Sequence, residues 1–163
     1  MLSRKSRKRE KKMKNITICF DMDGTIADFY GVEGWLYCLE NEIPHPYAIA
    51  KPLLNMSALA RRLNNLQKKG YHIAIISWLS KSGGSEFAEA VTQAKMNWLH
   101  KHLPSVNWDY IDIIPYGTPK QNYRHSDFDI LFDDEEGNRN AWGECAYDET
   151  AIFELLEMLK KLK

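Results

Sequence analysis

Short apolar runs alternate along this chain with stripes of helical spacing, and that alternation constrains the fold more than any other feature of the sequence. Residues 16–20 (Ile-Thr-Ile-Cys-Phe) form an apolar, β-branched run that stops at Asp21, as a buried strand entering a loop does. Leu59, Leu63 and Leu66, spaced four and three, predict a helix over 56–69 that ends at Gly70. Residues 72–77 read as the next buried strand. Phe87, Val91, Ala94 and Trp98 then mark a second amphipathic helix closed near Pro104. Strands follow at 110–114 and 129–132, and Ile152, Leu155, Leu159 and Leu162 mark a C-terminal helix capped by Asp148. The expected solution is an α/β fold, a parallel sheet with helices on both faces.

One segment breaks the alternation. Residues 27–55 carry Phe29, Tyr30, Trp35, Tyr37 and Tyr47 together with Pro44, Pro46 and Pro52, and lie between the first strand and the first periodic helix. They read as an insertion above the sheet, helical around 33–41. With 163 residues, 44% of them hydrophobic, the chain is expected to form one domain whose core needs no metal or disulfide staples. No stretch nears the roughly 18 consecutive apolar residues of a membrane span, so no membrane partner and a cytoplasmic location are expected. Cys19, Cys38 and Cys145 are too far apart for a C-x-x-C pair and are expected to be reduced.

The net charge of zero conceals a separation. Residues 1–14 hold eight basic side chains against Glu10 alone, leaving 14 basic and 21 acidic residues in the remainder. A block of like charge is expected to be a disordered, solvated tail over 1–13, with nucleic-acid contact through residues 1–14 as the functional alternative. Met13, just before the first strand, is a second candidate start.

In an open α/β sheet, ligands bind beyond the carboxyl ends of the strands, which directs attention to four places. Asp21 and Asp23, two apart on an extended segment, share one side, and Gly24 lets the backbone turn behind them. Ser77 ends the second strand. Lys120 brings an ammonium between the last two strands. Asp133 and Asp134 place adjacent charges where they are costly unless something positive meets them. A divalent cation is the economical partner, and hard carboxylate oxygens favour magnesium.

These four elements, Phe20-Asp21-Met22-Asp23-Gly24-Thr25, Ile75-Ile76-Ser77, Lys120 and Leu131-Phe132-Asp133-Asp134, resemble the motifs of the haloacid dehalogenase superfamily over residues 14–163. The resemblance implies a three-layer, Rossmann-like parallel sheet with a small helical cap, residues 27–55, inserted after the first strand. It implies Asp21 as nucleophile and Asp23 as general acid and base. Thr25, Ser77, Trp78 and Lys120 would bind phosphate. Magnesium would be held by Asp21, Asp133, the backbone carbonyl of Asp23, and Asp134 directly or through water.

Within the superfamily the chain is most similar to the 5'(3')-deoxyribonucleotidase group, which makes a small phosphorylated substrate, a nucleotide, the expectation. Phe29, Tyr30, Trp35, Tyr37 and Trp78 are candidates to stack a base or to pack the insertion onto the sheet. The insertion is smaller than the cap of those enzymes, and an open cleft would admit phosphorylated nucleic-acid ends or another small phosphoester. A catalytically silent domain that binds a phosphorylated ligand or nucleic acid is the competing class; the joint presence of Asp21, Asp23, Lys120 and the Asp133-Asp134 pair argues against it.

Overall fold

A computed structural model describes residues 4–7 and 15–162 of the chain. Within the basic tail, residues 4–7 form one helical turn, and the rest of the expected disordered segment lies outside the described residues.

Five parallel strands form the sheet in the order β5-β4-β1-β6-β7, with β1 Thr17–Phe20, β4 His72–Trp78, β5 Tyr110–Ile114, β6 Ile130–Phe132 and β7 Ala146–Tyr147. After β1 the chain builds β4 and β5 on one side, then crosses back to lay β6 against the other edge of β1. The direction of strand order therefore reverses at β1, and the crevice beyond its carboxyl end is the switch point where such sheets place a ligand.

Alternation along the strands sends side chains to two faces. Ile18, Phe20, Ile73, Ile75, Ile130 and Phe132 pack with Leu59, Leu63 and Leu66 of α3 (Met56–Lys68), Trp98 and Leu99 of α4 (Ser85–His102), and Ile152 and Leu156 of α6 (Ile152–Lys161). Cys19, Ala74, Ile76 and Leu131 form the opposite face, covered by Trp142 of α5 (Glu136–Trp142). This is the three-layer, Rossmann-like α/β arrangement. Asn55 caps α3 by accepting from the Ala58 N–H at 2.9 Å, and Gly70 follows that helix at φ 100° as the stripe predicts. Asp148 accepts from the Thr150 N–H at 2.9 Å, ahead of a 3₁₀ turn that leads into α6.

Residues 27–55 leave and return through a two-stranded antiparallel ribbon, β2 (Ala27–Asp28) against β3 (Lys51–Pro52), with α1 (Trp35–Glu40) and α2 (His45–Ile49) between them. α1 falls within the helix expected at 33–41. The ribbon, α2, α5 and β7 are two to seven residues long, too short for hydrophobic periodicity to register.

The strand expected from residue 129 begins at Ile130 because Asp129 has another task. Fully buried, its carboxylate accepts from the N–H groups of Thr17, His125 and Ser126 and from the Ser126 hydroxyl, at 2.7–3.1 Å. It thereby pins the loop before β6 to the start of β1. Among the described residues all three cysteines are free, and no helix is long and apolar enough to cross a membrane.

Candidate active site

Asp21 and Asp133 leave neighbouring strands at the switch point, tied together by backbone and side chain. The Asp21 N–H donates to the Phe132 carbonyl at 2.9 Å. Lys120, on a 3₁₀ turn after β5, places Nζ 2.8 Å from Asp21 Oδ1 and 2.6 Å from Asp133 Oδ2. All three are buried, so the ammonium is held by charge on both sides in surroundings that exclude water. Burial alone would lower its pKa; the adjacent carboxylates of Asp21 and Asp133 outweigh that and raise it to about 12. Asp133 is further fixed by the Glu135 N–H at 2.9 Å and the Asn138 amide at 3.1 Å.

Asp21, Asp133 and Asp134 bring carboxylate oxygens within 4.8 Å of one another. Burial, together with the charges of Asp21 and Asp133, pushes the Asp134 carboxyl up to about 7. Asp133 rises to about 6, because burial and the Asp21 charge together exceed the effect of Lys120. Where Asp21, Asp133 and Asp134 converge, three acidic groups stand beside the one ammonium of Lys120. A set of hard oxygens with that imbalance fits one divalent cation. The Asp23 carboxylate stands outside the group of three.

Thr25, expected to bind phosphate, lies against the carboxylates. It is fully buried; its hydroxyl reaches Asp21 Oδ2 at 3.1 Å and Asp134 Oδ1 at 3.3 Å, and accepts from the Asp134 N–H at 3.1 Å. Its own N–H is spent on the Met22 carbonyl. Ser77 is also fully buried, with its hydroxyl on Lys95 at 2.7 Å. Trp78 donates its indole N–H to the Thr118 carbonyl at 2.8 Å and lays its ring 5.2 Å from Lys120 Nζ, so it covers the lysine and has no indole N–H left for a phosphate.

Two residues of the site escaped the sequence reading. Lys95, on α4 and 1% exposed, binds Asp23 Oδ2, the Ser77 hydroxyl and the Trp78 carbonyl, each at 2.7 Å. Burial nevertheless lifts the Asp23 carboxyl above its ordinary value, more than the Lys95 charge lowers it. The signal for Lys95 was a charge four residues after Val91 and three before Trp98, inside an apolar stripe. Arg139, on α5, donates to the carbonyls of Asp133 and Asp134 at 2.9 and 2.7 Å and locks the backbone that carries both carboxylates.

Above these groups opens a cavity of about 390 Å³, with Asp21, Asp23, Lys120, Asp133 and Asp134 in its floor. Tyr30, Trp35 and Leu36 overhang it from the insertion, and Trp78 and Tyr116, with ring centroids 4.9 Å apart, form another wall. Phe29 also lines the cavity, though it is 2% exposed and packs with Tyr47, Phe87 and Val91, while Tyr37 is 64% exposed and away from the cavity. Ser80 and Lys81 reach the rim.

No protein-family model matches the chain, and no curated protein matches it. Among solved structures the chain is similar to a D,D-heptose 1,7-bisphosphate phosphatase from Burkholderia thailandensis, at 14% identity and a TM-score of 0.49, over 80% of this chain and 73% of that one.

Proposed function

We propose that the protein is a phosphomonoester hydrolase that works through an aspartyl-phosphate on Asp21, with nucleoside monophosphates as its substrate class. The observation that carries this reading is the convergence of Asp21, Asp23, Lys120 and Asp133 in the floor of one cavity at the sheet's switch point.

Asp21 attacks phosphorus in line, forming an O–P bond as the ester P–O bond breaks. The leaving alkoxide takes a proton from Asp23, whose partly buried carboxyl is shifted toward the protonated form that a general acid needs. Asp23, now a carboxylate, accepts a proton from water as the water attacks phosphorus. The bond to Asp21 breaks, and alcohol and phosphate leave with both carboxyl groups restored. Lys120 stabilises the charge of the transferring phosphoryl group, and Thr25 holds Asp21 in orientation. Asp21, Asp133 and Asp134 would hold magnesium, which when bound offsets the repulsion between an anionic nucleophile and an anionic phosphate.

The half-exposed rings at the mouth support a nucleotide, since each base–aromatic contact is worth roughly 1–3 kcal/mol. The test is phosphate release with magnesium from nucleoside 5'- and 3'-monophosphates, sugar phosphates, an aryl phosphate and phosphorylated oligonucleotides, with Asp21→Asn as the control. Release from nucleotides that the variant lacks is the expected result. Preference for oligonucleotide ends would move the substrate to nucleic acid, and no release from any compound by folded, magnesium-loaded protein would overturn the reading.

A further inference from the structure

We propose that Lys95 is a positioning residue that fixes Asp23 for proton transfer, an inference that rests on the phosphatase reaction above. An ammonium has three hydrogens and no lone pair, so Lys95 can only donate. Its three partners are Asp23 Oδ2, the Ser77 hydroxyl oxygen and the Trp78 carbonyl, each at 2.7 Å. Two of these belong to β4, where Ser77 and Trp78 pair with Ile113 and Ile114 of β5. Asp23 sits in the loop after β1, so Lys95 ties the loop carboxylate to that strand through one atom. Oδ2 is thereby committed, and Oδ1 is the oxygen left to carry the proton.

Packing alone gives no reason for a lysine here. The residue lies 1% exposed among apolar stripe positions, where an uncharged side chain would avoid the cost of burying an ammonium. The Tyr47 ring, 5.1 Å from Nζ, brings the insertion against the same charge.

A structural lysine and a positioning lysine differ in how they treat leaving groups. Formation of the phospho-aspartate needs a proton at Asp23 when an alkoxide leaves and hardly needs one when an acidic phenolate leaves. The experiment compares kcat/KM, which runs from free enzyme and substrate through that step and excludes hydrolysis of the phospho-aspartate, for an alkyl and an aryl phosphate in wild type, Lys95→Met and Lys95→Gln. General acid catalysis contributes ~10²–10⁴-fold, so we expect a loss of about that size for the alkyl ester and one about tenfold smaller or less for the aryl ester. In an Asp23→Asn background the Lys95 substitution should add little, because residues that act through one another are not additive.

Thermal melts identify which variants fold, and Lys95→Gln, which keeps N–H donors, is read if Lys95→Met does not. Equal losses on both esters, or unfolding of both variants, assign Lys95 to the core and overturn its positioning role while leaving the reaction intact. An inactive wild type overturns the reaction itself and this inference with it.

Discussion

On the floor of the cavity each charged side chain is tied to a fixed partner, whereas the rings that overhang it touch chiefly other rings. Lys95, Lys120 and Asp133 are at most 2% exposed, and their polar atoms meet at 2.6–3.1 Å. Tyr30 is 49% exposed and meets Phe29 and Trp35 edge-on, with centroids 5.3 and 5.1 Å away. Hydrogen-bonded charges in a dry site cannot shift without losing several kcal/mol, so their geometry is set before any ligand arrives. Edge-on ring contacts cost far less to rearrange. The floor is thus set before any ligand arrives, and the roof is free to adapt to one.

The strongest way to break this comparison is to remove the proposed nucleophile. Asp21→Asn keeps the shape of the floor and should reduce phosphate release by on the order of 10⁴–10⁶-fold, as loss of a covalent nucleophile does elsewhere. Residual turnover near that of wild type would mean that the floor performs different chemistry.

Lys120→Met should damage both activity and fold. The buried Asp21 and Asp133 carboxylates would lose their shared cation, and breaking such a pair costs about 3–5 kcal/mol. A denaturant titration should show that loss, and kcat should fall by roughly 10²–10³-fold. A stable Lys120→Met protein would show that the carboxylates relax more readily than their burial implies.

Substitutions in the roof should behave oppositely. Trp35→Ala should raise KM for a nucleotide by roughly 5- to 150-fold, the span of 1–3 kcal/mol for one stacking contact, with kcat little changed. The same variant should leave KM for a small aliphatic phosphate nearly unaltered. A fall in kcat on both substrates would show instead that the roof helps to organise the floor.

Floor and roof also differ in how legible they were. Asp21, Asp23, Lys120, Asp133 and Asp134 could be found because strand ends in an α/β sheet converge, so a local pattern stands for a three-dimensional one. Lys95 was hidden because a periodicity search rewards apolar positions, and Ala94 satisfied the stripe in its place. Thr25 and Ser77 were found as site residues, but the partners of their hydroxyls, Asp21 and Lys95, are tertiary facts that no local pattern carries. In the roof, Phe29 and Tyr30 are sequence neighbours that both line the cavity yet differ in exposure, 2% against 49%. Only the packing of residues 27–55 against α4 decides between them, and that is a tertiary fact. α5 was missed for its brevity, and Arg139 with it.

The smallest expected effect lies outside both regions and tests whether the fold tolerates change where the site does not. Asp109, before β5, accepts from the Ile73 N–H at 2.8 Å and the Gln67 amide at 3.0 Å and faces His72 Nδ1 at 3.3 Å. Burial pushes its carboxyl up, but those contacts outweigh burial and hold it below the ordinary value. A carboxyl whose folded-state pKa is depressed stabilises the fold above its unfolded-state pKa, near ~4, and loses that contribution as pH falls through the folded value. Asp109→Asn should therefore cost stability at neutral pH, on the order of 1 kcal/mol for the weakened hydrogen bonds, with kcat unchanged. Its unfolding free energy should converge with that of wild type once the pH has fallen through the depressed folded-state value, because both side chains are then neutral. Curves that stay parallel through the acid range would show that the Asp109 contacts act by shape alone, with charge contributing nothing to the anchor between β4 and the start of β5.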